Sequence, residues 1–170
     1  CREYLHKKVY IIMKLYHGSN AVIEVPVPHA NTNYGRKYFS WGFYCTELYS
    51  QAKEWAMNRA ARSENCIAIV NIYHYTPDTN LNILKFSTES YEWLNFMAEC
   101  RNGVQHAYDI VEGPVGDDQF WRYLGYLKSG AMTKKEVLEL AKSRDKVTHQ
   151  ICFCNEKALK CLKFINYKEV

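Results

Sequence analysis

No CxxC pair, no run of like charge and no long apolar stretch occurs in this chain, and each absence removes a class of protein. The seven cysteines are scattered, so a zinc ribbon or finger built on paired thiols has no starting point. Cys152 and Cys154 with His149 come nearest to a metal site, but a fourth ligand is not evident. The odd cysteine count, with no signal peptide in sight, points to reduced thiols in a cytoplasmic protein. No apolar run approaches the ~20 residues that a membrane-spanning helix needs.

The densest basic pairs are Lys7-Lys8 and Lys134-Lys135, and a net charge of +4 is thin for a dedicated nucleic-acid binder. Nucleic acid as a substrate stays open, because an enzyme needs only local phosphate contacts. No glycine-rich phosphate loop follows a strand, and regular βαβ alternation is missing, which argues against P-loop and Rossmann folds. No repeat, linker or low-complexity segment divides the chain.

What is abundant is the aromatic ring: 14 tyrosines, and 15% aromatic residues in 170. Tyrosine packs and hydrogen-bonds at once, so an excess of it suits ligand surfaces as well as strands. The length fits one domain with room for a core. The first methionine is Met13, and residues 1–12 are expected to be an upstream extension or expression remnant preceding a domain over 13–170.

Lys14 to His17 alternates like a strand and stops at Gly18-Ser19-Asn20. Residues 20–40 carry two prolines and three asparagines without periodicity, so a long loop is expected there. Gly42 to Thr46 is extended, and Thr46 is placed to cap a helix from Glu47 to about Arg62. Leu48, Ala52, Trp55, Ala56 and Ala60 share one face of that helix. Further strands are expected at 66–75, 81–86, 107–111, 149–153 and 163–167. Helices are expected at 91–100, from Asp117 or Asp118 to a stop at Gly130, from the Thr133–Glu136 capping box, and from Asn155 to about Leu162. The fold class is α+β with largely antiparallel sheet.

Three marks then fall in order. They are YHGS with His17 and Gly18, GFYCT with Tyr44 followed eleven residues on by Trp55, and HQICF with Gln150. Singly each has a plain reading: His17 as a satisfied structural histidine, Tyr44 and Trp55 as core, Asp117 and Asp118 as a helix cap. In order, they resemble the His-Tyr-Glu branch of the ADP-ribosyltransferase superfamily, that of diphtheria toxin and the poly-ADP-ribose polymerases. Residues 13–170 also resemble a bacterial family of uncharacterised domains placed in that superfamily, where YHGS, GFYTT, YDIV-GPV-DD and QICF recur.

The resemblance implies a split β-sandwich of two small sheets with flanking helices. It also implies NAD as co-substrate and transfer of ADP-ribose to an acceptor. Tyr44 and Trp55 would wall a slot for nicotinamide, and the backbone of Gly18 would hold its carboxamide. His17 would bond a ribose hydroxyl, and Ser19 the pyrophosphate or ribose. Tyr34, Arg36 and Lys37 in the loop would contact phosphate.

The expected glutamate is replaced by Gln150, which orients a ribose hydroxyl but carries no charge and cannot act as a base. Asp117 and Asp118 are the alternative carboxylates, with Glu156 a weaker one. The neutral glutamine equally favours a non-catalytic NAD or ADP-ribose binder. A 2′-phosphotransferase-like role would need converging arginines, and Arg36, Arg59, Arg62, Arg101, Arg122 and Arg144 form no such pattern. The acceptor, whether protein, nucleic acid, nucleotide or small molecule, is not named by any residue. Nor is an antitoxin or operon partner, which the resemblance allows.

Overall fold

The computed structural model describes residues 12–28, 38–64, 66–144 and 148–170. Among them are seven strands in two sheets and five helices, an α+β arrangement that is antiparallel except at one strand pair. The first sheet has the order β1 (Met13–Ser19), β3 (Ile69–Tyr75), β7 (Leu162–Glu169). The second has the order β2 (Phe43–Cys45), β6 (Thr148–Phe153), β5 (Ile110–Val115), β4 (Ile83–Lys85), with β4 and β5 parallel.

Alternation along the strands builds the layers. Leu15, Tyr73 and Tyr75 of the first sheet meet Phe43, Cys45, Ile151 and Phe153 of the second in one buried cluster. The opposite face of the second sheet carries Tyr44, Val111, Val115 and Cys152. They lie beneath Trp93 and Met97 of α2 (Tyr91–Asn102), Phe120 of α3 (Asp118–Ser129) and Val137 of α4 (Lys134–Lys142). On the outer face of the first sheet, α1 (Tyr49–Ala60) lays Ala52, Ala56 and Ala60 against Val70. Helices of this length are marginal alone, so packing rather than propensity holds them. Each large side chain buried contributes roughly 1.5–3 kcal/mol.

A buried ion pair ties the helical layer together. Arg144 donates to Glu89 at 3.0 Å and also to the carbonyls of Ala141 and Val115, so its charge is not left unsatisfied.

Several local expectations are corrected. Thr46 accepts from Leu48 N–H and donates to Gln51, making a turn before the helix, while Leu48 is the N-cap residue without a side-chain cap. The strand expected at 107–111 runs instead over Ile110–Val115, through Gly113 and Pro114. Glu112 accepts from Phe86 N–H on the β4 side, so Pro114, two residues on, turns its missing N–H to the same side, past the end of β4. The last helix, α5 (Glu156–Leu159), is a single turn capped by Asn155. Tyr34, Arg36, Lys37 and residues 1–11 lie outside the described residues.

Candidate functional site at the seam between the sheets

The two sheets meet along the edges of β1 and β2 through one antiparallel bridge, Tyr16–Thr46. Tyr16 N–H donates to Thr46 O at 2.8 Å, and Thr46 N–H returns the bond at 2.9 Å. Strand parity then fixes the next steps. Tyr16 directs its amide and carbonyl away from β3, so Gly18, two residues on, does the same. An ordinary ladder would set Gly18 against Tyr44. Here the His17 side chain takes that carbonyl instead, Nδ1 lying 2.6 Å from Tyr44 O. The strands therefore part beyond the bridge, and Gly18 presents its backbone donor and acceptor at the parting.

A carbonyl oxygen only accepts, so the Nδ1 of His17 carries the proton, and in the neutral ring Nε2 is the acceptor nitrogen. The ring is stacked on Phe43 at 4.2 Å, between the sheets. Opposite His17 in the register stands Asn71, fully buried. Its amide accepts from Ile23 N–H and donates to Ala21 O, and Tyr73 donates to Ile23 O, so the segment after β1 is fastened to β3 of the same sheet. Ser19 is buried and accepts from Ala21 N–H.

Gly18 meets α1 at very short range. A Cβ there would lie 2.1 Å from Ala52 O and 2.7 Å from Ala56 N. The approach that needs glycine is thus that of the helix carrying Trp55. Contact this close admits only alanines underneath, so Leu48 and Trp55 are turned outward, and Trp55 is 49% exposed.

Tyr44 is placed differently. Its ring is 7% exposed within the helix-covered core, and its hydroxyl donates to Ser40 O at 2.6 Å and accepts from Phe39 N–H at 3.0 Å. Burial, reinforced by the neighbouring Cys152 thiol, pushes the phenol well above its ordinary pKa. Gln150 lies on the same face of the second sheet, paired with Gly113 and two residues from Cys152, the partner of Tyr44. Cys152 and Cys154 bring their sulfurs to 3.7 Å. Among the described residues no group of three or more His, Cys, Asp or Glu is placed to hold a metal ion.

Asp117 is the N-cap of α3, accepting from Phe120 N–H at 2.8 Å, and Asp118 is exposed in the first turn of the same helix. Glu156 opens α5. The structure thus gathers His17, Gly18, Ser19, the Tyr44 backbone and the Trp55 helix at one seam. Gln150 and the Tyr44 ring face the helical layer, and the two aspartates stand at a helix start.

Sequence reasoning missed Asn71, for which a lone amide inside the apolar run IVNIYHY was the signal.

A two-sheet α+β domain with a parted strand edge is the class that fold and seam define. The chain belongs to the family described as "Protein of unknown function (DUF3990)", which it matches over residues 13–164. No curated protein and no solved structure matches it. Among the described residues no helix is long and apolar enough to cross a membrane.

Proposed function

We propose that this domain is an NAD-dependent mono-ADP-ribosyltransferase with the split two-sheet architecture of that superfamily. The observation that carries the reading is the parted seam, where the Gly18 amide and carbonyl stand beside His17. A carboxamide offers N–H donors beside a carbonyl acceptor, the complement of the C=O and N–H that a strand residue presents along its edge. In this reading Gly18 holds the nicotinamide carboxamide, and His17 and Ser19 face the ribose and pyrophosphate. Trp55 supplies the accessible aromatic wall. The Tyr44 ring, held by the Phe39–Ser40 turn under the helical layer, is not a wall of this slot; its carbonyl, bound by His17, is what it brings to the seam.

The bond from nicotinamide nitrogen to ribose C1′ breaks with its electron pair going to nicotinamide. The acceptor nucleophile then bonds C1′ and loses its proton. Positive charge builds at C1′ in between and is stabilised by the dipoles at the seam, and for Gln150 to orient the ribose the ligand has to reach round the edge of β2 to the face that carries it.

A second reading, a non-catalytic binder of NAD or ADP-ribose, is favoured by the neutral Gln150 and by the capping role of Asp117. Calorimetric titration with NAD, with nicotinamide release measured on the same samples, separates the two. Saturable binding with release supports the transferase, and binding without release supports the binder. A folded protein that binds nothing at millimolar NAD refutes both. Under the transferase reading, Gln150→Glu is expected to raise nicotinamide release by about tenfold or more, because it supplies the missing carboxylate. Gln150→Ala is expected to lower it.

A further inference from the structure

Trp41 is an exposed ring on a strained and firmly held turn. It precedes the tight Gly42, where a Cβ would lie 2.4 Å from Cys152 Sγ and 2.7 Å from Phe153 O. It follows Ser40, whose φ of 71° is a left-handed conformation that side chains other than glycine's adopt at a cost. The surroundings hold this turn from several sides. Tyr38 donates to Gly116 O at 2.6 Å, and Tyr44 grips both Phe39 and Ser40. His106 Nε2–H donates to Phe39 O at 3.1 Å, and the Cys152 thiol lies 3.9 Å from Trp41 O. Yet Trp41 itself is 43% exposed.

A single exposed apolar side chain is ordinary. A tryptophan displayed from backbone that is both strained and tied down is a different case. Its ordering cost is already met by the fold, so little more is lost when something flat settles on it. Its position gives the ligand. Trp41 stands two residues before Phe43, the ring on which His17 is stacked, at the end of β2 where the strands part. Gly18 and His17 lie deeper along the same seam.

We infer that Trp41 is the platform at the mouth of the seam on which the planar heteroaromatic ring of a nucleotide stacks. The inference rests on the proposed NAD reading and adds to it a residue of contact outside the three marks. Stacking is indifferent to which base is presented, so the same ring serves AMP and ADP-ribose as well as NAD.

The test is calorimetric titration of wild type, Trp41→Ala and Trp41→Phe with NAD, ADP-ribose, AMP and nicotinamide, beside their thermal unfolding midpoints. The expected result is unchanged unfolding, affinity for NAD lowered about tenfold in Trp41→Ala, and most of it recovered in Trp41→Phe. AMP or nicotinamide, whichever ring rests on Trp41, is expected to lose affinity in parallel while the other does not. Wild type that binds NAD with Trp41→Ala within twofold of it overturns the platform and leaves the NAD reading standing. Should Trp41→Ala unfold, Trp41→Phe and Trp41→His decide, and equal loss in both overturns the stacking role. Wild type that binds none of the four probes overturns the platform together with the NAD reading.

Discussion

Gly18 shows how one missing methyl group fixes a neighbourhood. Because its Cβ position is filled by the backbone of α1, substitution displaces the helix rather than a side-chain tip. Gly18→Ala is expected to destabilise the fold by about 2 kcal/mol, as overpacking does, read as a lower urea midpoint. Gly125, midway along α3 with nothing within 4 Å of its Cβ position, is the control. There the same change is expected to stabilise by up to about 1 kcal/mol, because alanine is the better helix former. The histidine and glycine at the end of β1 were legible as a pair. The closeness of α1 was not, since it depends on which residues lie across a fold that alternation does not reveal. The same closeness explains why Trp55, assigned by periodicity to an apolar face, is turned out while only alanines go in.

At the scale of elements, the caps were the most legible features. The Thr133–Glu136 capping box and the Asp117 start and Gly130 stop of α3 all stand where side-chain chemistry puts them. Asparagine caps a helix as well as aspartate does but has no charge. Asp117→Asn is therefore expected to keep stability within a few tenths of a kcal/mol of wild type, and Asp117→Ala to lose about 1 kcal/mol. If Asp117 were the catalytic carboxylate, Asp117→Asn would abolish nicotinamide release in a protein of unchanged stability; as a cap alone, it would leave release intact. The extension of β5 through Gly113 and Pro114 was less legible. A proline reads as a break unless one knows that the neighbouring strand has already ended. The parallel pairing of β4 with β5 was likewise hidden, since three-residue strands carry no directional signal.

Across the whole molecule, Asp109 ties distant pieces of chain. Its carboxylate accepts from Asn82 N–H, from the Asn155 side chain and from Lys157, and its carbonyl accepts from Cys154 N–H. The Asn82 backbone bond first, then Asn155 and Lys157, hold its pKa below the ordinary carboxylate value. A depressed pKa gives stability that is present above the unfolded-state value of about 3.9 and is lost as pH falls through the lower folded value. Asp109→Asn is therefore expected to cost about 1–2 kcal/mol at pH 7 in denaturant unfolding, with the gap to wild type closing below about pH 4.

The pairing order has a consequence for synthesis on the ribosome. Among the described residues β2 finds its sheet partner only in β6, and β3 has β7 on one side, so residues 148–169 complete both sheets. Until that stretch emerges, the Tyr16–Thr46 bridge would have to stand without a sheet behind β2. The pairing of both sheets therefore closes only once residues 148–169 have emerged, after β1–β3 and β4–β5 are already available to pair.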